Sequence, residues 1–435
     1  MSAAPIAPDT SKSKKIGKGS YGCILSPALP NVVDGSVVEF PDHVTKLYVD
    51  TAKGPEELAR GKRGANMFYG LSGSKPGYKY NLYAHPYSVM NLPREVAREC
   101  YNTVRSKPVR ALRMPNLGRD VYYLRNNPDE IKSLRKLYPF VMFKNIVGLF
   151  DDFVKFHATG YIHGDIRPAN TVINPMTGDI YIIDFDLVMP AAEFVHFYGG
   201  GGAHGFGFFN NPPEALIFFL LYPTLPTYKN NLEWINDGRI DEYKAALKDW
   251  IFYQKQVNAW QLIGSPITRD AVTNVVNYAK AVFPTTIRNV MLEANDPEYF
   301  RAFTEFIFPT MDSFALSFTL LDLLQCVYPE LFEADKEHGR KSFIELMVPA
   351  KNNLNALSEI SAAATLYDGF QGLITTLAAG AKLMFTERAR PAAMNAHLQG
   401  ILADLTTKIH IPAAEPAAIA GAGSARRRKT RRRKN

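Results

Sequence analysis

Cysteine is scarce in this sequence, and its three copies lie far apart. Cys23, Cys100 and Cys326 form an odd set, and together with the nine histidines they show no zinc-site spacing. We therefore expect no structural metal. The same scarcity favours a protein of a reducing compartment.

Long apolar segments are also absent. The longest apolar run, residues 215–222, is too short to span a bilayer. The N-terminal stretch MSAAPIAPDTSKSKK has no apolar run behind its charges, so it does not resemble a secretory signal. These absences predict a soluble intracellular protein with no membrane partner.

The body of the chain has no excess of either charge. The formal net charge is +8, but eight of the 50 basic residues lie in the last ten positions, which leaves 42 basic against 42 acidic residues. The basic tail is therefore the part expected to bind a nucleic acid, an acidic protein or an import receptor. The sequence gives no indication of oligomeric state.

Composition divides the chain into two tails and a folded body. Residues 1–14 and 413–435 are predicted to be disordered. The first hundred residues mix short β-branched runs with turns, whereas longer helical patterns follow residue 130, so the body is predicted to be α+β. Amphipathic stretches between about 223 and 310 indicate a helical insertion.

A glycine-rich segment, IGKGSYGCI, opens the folded body. Gly17, Gly19 and Gly22 would let backbone N–H groups approach phosphates closely, with Ser20 and Tyr21 at the tip. Alone, this spacing also fits an ordinary hairpin turn or a dinucleotide fingerprint. Because β-type sequence lies on both sides, a strand-turn-strand flap fits better.

A lysine lies inside an alternating apolar strand about thirty residues later. Lys46 in HVTKLYV is followed by Glu56 and Glu57, which open a predicted helix. An ion pair with one of these glutamates would hold Lys46 over nucleotide phosphates. Glu57 is preferred, although helix phase does not decide between the two.

The segment YIHGDIRPANTVINPMTGDIYIIDFDLV contains the strongest chemical signal. Asp165 precedes two short β runs and Asp184 follows them, so Asn170 and both carboxylates can converge on one cleft. Phosphoryl transfer requires this set: one carboxylate accepts the proton of the attacking hydroxyl, and the other, with the amide, holds Mg²⁺.

With these motifs in order, the chain from Ile16 to about Ile409 resembles the protein-kinase superfamily. The resemblance implies a bilobal fold, with an N-lobe over 15–117 and a C-lobe over 118–412 that includes the insertion. It implies ATP with Mg²⁺ or Mn²⁺ as cofactors and a protein substrate. The implied adenine and hinge positions are Ile24, Val44, Val172, Met114, Asn116 and Leu117.

The resemblance extends beyond the active site. His163 and Phe185 match structural positions of the family, and Asp312 matches the aspartate that opens the central C-lobe helix and braces the catalytic loop. Glu214 in NPPE and Arg390 in RPAAMNAHL match a pair that the family joins by a buried salt bridge.

The chain also departs from the family pattern. Gly164 replaces an arginine that binds a phosphorylated activation loop, and residues 184–214 contain no Ser or Thr. The resemblance thus implies activity without activation-loop phosphorylation. Asp186 stands where the family has a glycine. Arg167 stands where Ser/Thr kinases carry a lysine, which favours Ser or Thr as the acceptor residue.

Two alternatives stay open. HGD followed by IDFD is also similar to small-molecule kinases of the aminoglycoside and choline type, and a pseudokinase scaffold would keep the fold without activity. The combined motifs are similar to divergent kinases of large cytoplasmic DNA viruses. That origin would imply the host cytoplasm, the nucleus or the virion as location.

Overall fold

The computed structural model describes the chain over these residues: 12–19, 22–33, 36–48, 59, 63–64, 67–68, 88–90, 109–135, 139–191, 193–194, 212, 308–348, 356–382 and 387–409. Nearly all of the predicted insertion, and the whole of the predicted C-terminal tail, lie outside them. The described fold is α+β, with small antiparallel sheets followed by a mainly helical C-terminal part.

In the described residues of the N-terminal part there are seven strands. They are β1 (Lys14–Gly19), β2 (Gly22–Ser26), β3 (Ala28–Val33), β4 (Ser36–Phe40), β5 (His43–Tyr48), β6 (Ser88–Met90) and β7 (Val109–Pro115). Five of them form an antiparallel sheet in the order β1-β2-β5-β7-β6. Its register places Ile24 opposite Lys46, and Val44 opposite Met114.

Strands β3 and β4 form a separate hairpin between β2 and β5. The Leu29 N–H donates to the buried Thr45 Oγ1 at 2.9 Å, and the Arg113 guanidinium lies 3.4 Å above the Phe40 ring. Because side chains alternate along a strand, Thr45 points away from the face that carries Lys46. The hairpin therefore packs on the sheet face opposite Lys46.

The C-terminal part combines short strands with seven described helices. The strands are β8 (Arg119–Asp120), β9 (Tyr161–Ile162), β10 (Thr171–Ile173), β11 (Ile180–Ile182) and β12 (Met189–Pro190). The helices are α1 (Val121–Asn126), α2 (Pro128–Arg135), α3 (Pro139–His157), α4 (Met311–Val327), α5 (Lys336–Met347), α6 (Ala356–Gly380) and α7 (Pro391–Lys408).

Helix α4 is the centre of the helical part. Nearly all of its residues are buried, and it packs against α1, α2 and α6, while α7 packs against α3 and α6. A helix that is apolar on every side is stable only inside a core. Its two buried carboxylates therefore need partners: Asp322 forms an ion pair with Arg125 of α1, and Asp312 accepts backbone N–H groups from the loop after β9.

The cysteines differ from the reduced state that their scarcity suggested. Cys23 on β2 is fully buried and disulfide-bonded, whereas Cys326 on α4 is a half-buried free thiol. Among the described residues, no helix combines the length and the apolar character that a membrane crossing requires.

The buried ion pair on α4 gives a stability prediction. Asp322→Ala is expected to lower the free energy of unfolding by about 3 kcal/mol, because the partly buried Arg125 loses the buried carboxylate that forms its ion pair. The exposed pair Arg340–Asp368 is the control, and Asp368→Ala should cost less than about 1 kcal/mol. Chemical denaturation followed by circular dichroism would measure both, and equal losses would contradict the prediction.

Candidate active site

The loop between β9 and β10 places the central carboxylate. It ends in a 3₁₀ turn, Pro168–Asn170, which directs the Asn170 amide back toward Asp165. Asn170 Nδ2 donates to the Asp165 carboxylate Oδ2 at 2.7 Å and to the Asp165 backbone oxygen at 2.9 Å. These two bonds fix the orientation of a carboxylate that is only 9% exposed.

The second oxygen of Asp165 has a different environment from the first. Oδ1 is buried and has no hydrogen-bond partner among the described residues, although Arg167 Nε lies 3.1 Å away in an ion pair. Burial raises the pKa of Asp165 to about 7, Asp184 and Asp312 act in the same direction, and Arg167 and Asn170 oppose it. Asp165 is thus suited to exchange a proton near neutral pH.

Asp184 lies at the end of β11 and faces the N-terminal sheet. Its backbone is left-handed, with φ of 66°, and a 3₁₀ turn, Phe185–Leu187, follows at once. Asp184 Oδ1 lies 3.6 Å from Lys46 Nζ on β5. The charge of Asp184 also raises the pKa of Asp165. Lys46, Asp184 and Asp165 are therefore close enough to influence one another electrostatically.

The donor atoms at this site suit a hard divalent cation. Both side-chain bonds of Asn170 use its Nδ2 group, which leaves Oδ1 as the atom that could bind a cation beside Asp184. Such oxygen donors fit Mg²⁺, which typically takes few protein ligands and completes its shell with phosphate and water. Among the described residues there is no group of three or more His, Cys, Asp or Glu that could hold a metal ion.

A buried aspartate at the start of α4 holds this loop in place through hydrogen bonds to its backbone. Asp312 accepts the N–H of His163 at 2.6 Å and the N–H of Gly164 at 3.0 Å. Burial raises the pKa of Asp312 to about 6, and the two N–H donors limit the rise. Burial also lowers the pKa of His163 to about 4, so its imidazole is neutral at physiological pH.

Gly164 has a physical reason to be glycine. Its φ is +74°, and a Cβ there would lie 2.4 Å from the Phe194 ring. The Phe194 side chain therefore occupies the space that an arginine at this position would enter. Asp186, by contrast, lies within the 3₁₀ turn, where the right-handed backbone does not require a glycine.

An aromatic column joins this loop to the N-terminal part. Measured between ring centroids, His163 lies 5.1 Å from Phe185, Phe185 lies 5.7 Å from Phe68, and Phe68 lies 5.1 Å from Phe156. Phe68 belongs to a helical segment that approaches the Phe185 turn closely. Sequence reasoning missed Phe68, because a short apolar run such as MFY at 67–69 gives no signal of a contact more than a hundred positions away.

The residues expected to bind a nucleotide occupy the strands around the cleft. Val44 and Val172 are buried, Ile24, Met114 and Leu117 are partly buried, and Asn116 is exposed with its N–H bonded to the Asp42 oxygen. Gly17, Gly19 and Gly22 lie on the paired strands β1 and β2.

Several expected residues lie outside the described part of the chain: Ser20, Tyr21, Glu56, Glu57 and Glu214. Arg390 is exposed at the start of α7, which differs from the buried ion pair expected of it. The buried arginine nearby is Arg388, which lies 4.6 Å above the Phe314 ring and donates to the Lys382 backbone oxygen. Its burial has no sequence signature that separates it from Arg390.

No protein-family model matches the chain, and no curated protein matches it either.

The close approach of the Phe68 segment gives a second stability prediction. A Cβ at Gly64 would lie 2.7 Å from Phe185 Cβ and 2.9 Å from Val188 Cβ, so Gly64→Ala should cost about 1–3 kcal/mol through overpacking. Gly148→Ala on α3, where a Cβ meets nothing within 4 Å, is the control and should be neutral or stabilising by up to about 1 kcal/mol. Thermal unfolding would measure both, and a neutral Gly64→Ala would refute the close contact.

Proposed function

We propose that this protein is a Mg²⁺-dependent, ATP-dependent protein kinase that phosphorylates Ser or Thr. The observation that carries the proposal is the buried Asp165 carboxylate, with one oxygen fixed by Asn170 and the other without a hydrogen bond, beside Asp184 and Lys46. A base, a pair of oxygen donors for a cation and a phosphate-binding ammonium are the parts of phosphoryl transfer.

Each side chain has a role in the proposed reaction. Asp165 Oδ1 orients the acceptor hydroxyl and takes its proton as the phosphoryl group transfers. Asn170 Oδ1 and Asp184 would hold the metal ion, which neutralises charge on the phosphate oxygens. Lys46 would bind the non-transferred phosphates, and Arg167 would stabilise charge near the transferred group.

The proposed fold is bilobal, with the N-terminal sheet and the helical part meeting at the Lys46–Asp184 contact. Its support is the order of motifs in the sequence, together with the α+β architecture. The tight fit of Gly164 against Phe194 supports a further part of the proposal, activity that does not depend on a phosphorylated activation loop.

Purified protein incubated with γ-labelled ATP and Mg²⁺ tests the proposal. We expect label on Ser or Thr of casein or a basic protein, and a loss of about 10²–10⁴-fold in rate for Asp165→Asn. Lys46→Met should be similarly impaired, whereas the exposed control variants Asp368→Asn and Lys341→Met should retain full rates.

The outcomes separate the alternatives. Label transferred to choline or an aminoglycoside, and not to protein, would indicate a small-molecule kinase. Wild-type protein with no turnover on any of these acceptors would indicate a nonenzymatic scaffold. Either result would overturn the proposal.

The elevated pKa of Asp165 predicts the pH dependence. The base is active when ionised, so kcat/KM should fall as the pH drops below about 7. Arg167 lowers the pKa of Asp165, so Arg167→Gln should move this acid limb upward by about one pH unit. The exposed control Arg340→Gln should leave the limb in place, and an unshifted limb in Arg167→Gln would contradict the assignment of Asp165 as base.

A further inference from the structure

Backbone bonds fix the start of the β12 segment (residues 188–191, 193 and 194). Strand β12 pairs antiparallel with β9. Just beyond the strand, the Ala191 N–H donates to the Gly160 backbone oxygen at 3.0 Å. The β12 segment therefore lies beside the strand that leads into the loop carrying Asp165.

A side chain makes the second contact between this segment and the loop. Phe194 is fully buried, and a Cβ at Gly164 would lie 2.4 Å from its Cε2 atom and 3.0 Å from its Cζ atom. Only a residue without a side chain allows the ring to come so close. The φ of +74° at Gly164 is also a conformation that glycine adopts readily.

Gly164 is thus held by two different elements. Asp312 of α4 accepts its N–H at 3.0 Å, and the Phe194 ring packs where a side chain would lie. Gly164 directly precedes Asp165, so both contacts bear on the position of that carboxylate. We propose that Phe194 is a positioning residue, which holds the β12 segment and the Asp165 loop in one arrangement by apolar contact; its effect on catalysis rests on the kinase function proposed above.

This contact requires no modification of the chain. Apolar burial forms as the chain folds, because it removes apolar surface from water. An ion pair between an arginine and a phosphoryl group forms only after phosphorylation. Gly164 provides no arginine for such a pair, and the Phe194 ring occupies the space. We therefore expect the Asp165 loop to have its working arrangement in the unmodified protein.

Hydrogen exchange tests the contact without reference to any activity. In full-length Phe194→Ala, amide exchange in peptides covering residues 160–165 and 188–194 should accelerate by about tenfold or more. Phe343→Ala is the matched control, because Phe343 is equally buried and packs against the Tyr367 and Phe370 rings of α6. It should leave the exchange of both peptides unchanged. Unchanged exchange in Phe194→Ala would overturn the proposal.

Kinetic constants test the positioning role. At saturating casein, Phe194→Ala should lower kcat by about 10–10²-fold through misplacement of Asp165. Its KM for ATP should change less than about twofold, because the N-terminal sheet is untouched. Phe194→Met, which keeps a long apolar side chain, should stay within about threefold of the wild-type kcat. If Phe194→Ala keeps the kcat of Phe343→Ala, the positioning role is wrong.

A substitution that removes no core side chain gives a second test. Gly164→Ala adds a methyl group that must displace the ring, so kcat should fall by about tenfold or more. In Phe194→Leu, which lacks the Cε2 and Cζ atoms, the same substitution should cost only about threefold. The cost of an alanine at positive φ is common to both backgrounds and cancels. Equal losses in the two backgrounds would overturn the contact.

The two kinds of measurement separate this inference from the kinase function. A wild type that transfers no phosphate to any acceptor would count against the kinase proposal, and hydrogen exchange would then decide the Phe194 contact alone. Faster exchange in Phe194→Ala together with an unchanged kcat would confirm the contact and overturn the positioning role.

Discussion

The candidate site depends on one buried carboxylate. Asp312 is 2% exposed at the start of α4, and it accepts two consecutive backbone N–H groups from the loop that carries Asp165. A charge in such a position is stable only because these donors replace the water that it lost. Helix α4 is enclosed by other helices, so the loop bound to it has a fixed position. The packed core therefore also fixes the position of the Asp165 carboxylate.

Burial affects both the hydrogen bonding and the titration of the carboxylates at this loop. The environment that makes Asp312 require N–H donors also raises the pKa of Asp165 and keeps His163 neutral. Asp165 differs from Asp312 in having one oxygen with no hydrogen-bond partner among the described residues. In the same low-polarity surroundings, a carboxylate with a full set of donors binds the loop in place, and one without them has a pKa raised toward neutrality.

The sequence predicted the parts of the site that lie close together in the chain. Asp165, Asn170 and Asp184 are separated by few residues, and the short β runs between them restrict how the loops can turn. The aromatic column and the buried Arg388 could not be predicted, because they depend on contacts between distant segments. The motif implied a buried ion pair between Arg390 and Glu214; Arg390 is exposed, Glu214 lies outside the described residues, and the buried arginine nearby is Arg388.

The positions where this structure requires glycine differ from the position where the family motif has one. The family resemblance expects a glycine at 186, but the backbone there is a right-handed 3₁₀ turn that accepts any residue. Glycine is required instead at Gly164 and Gly64, where Phe194, Phe185 and Val188 leave no room for a Cβ. The close approach of chain segments around the Asp184 turn, and not the motif itself, therefore determines which positions of this site can change.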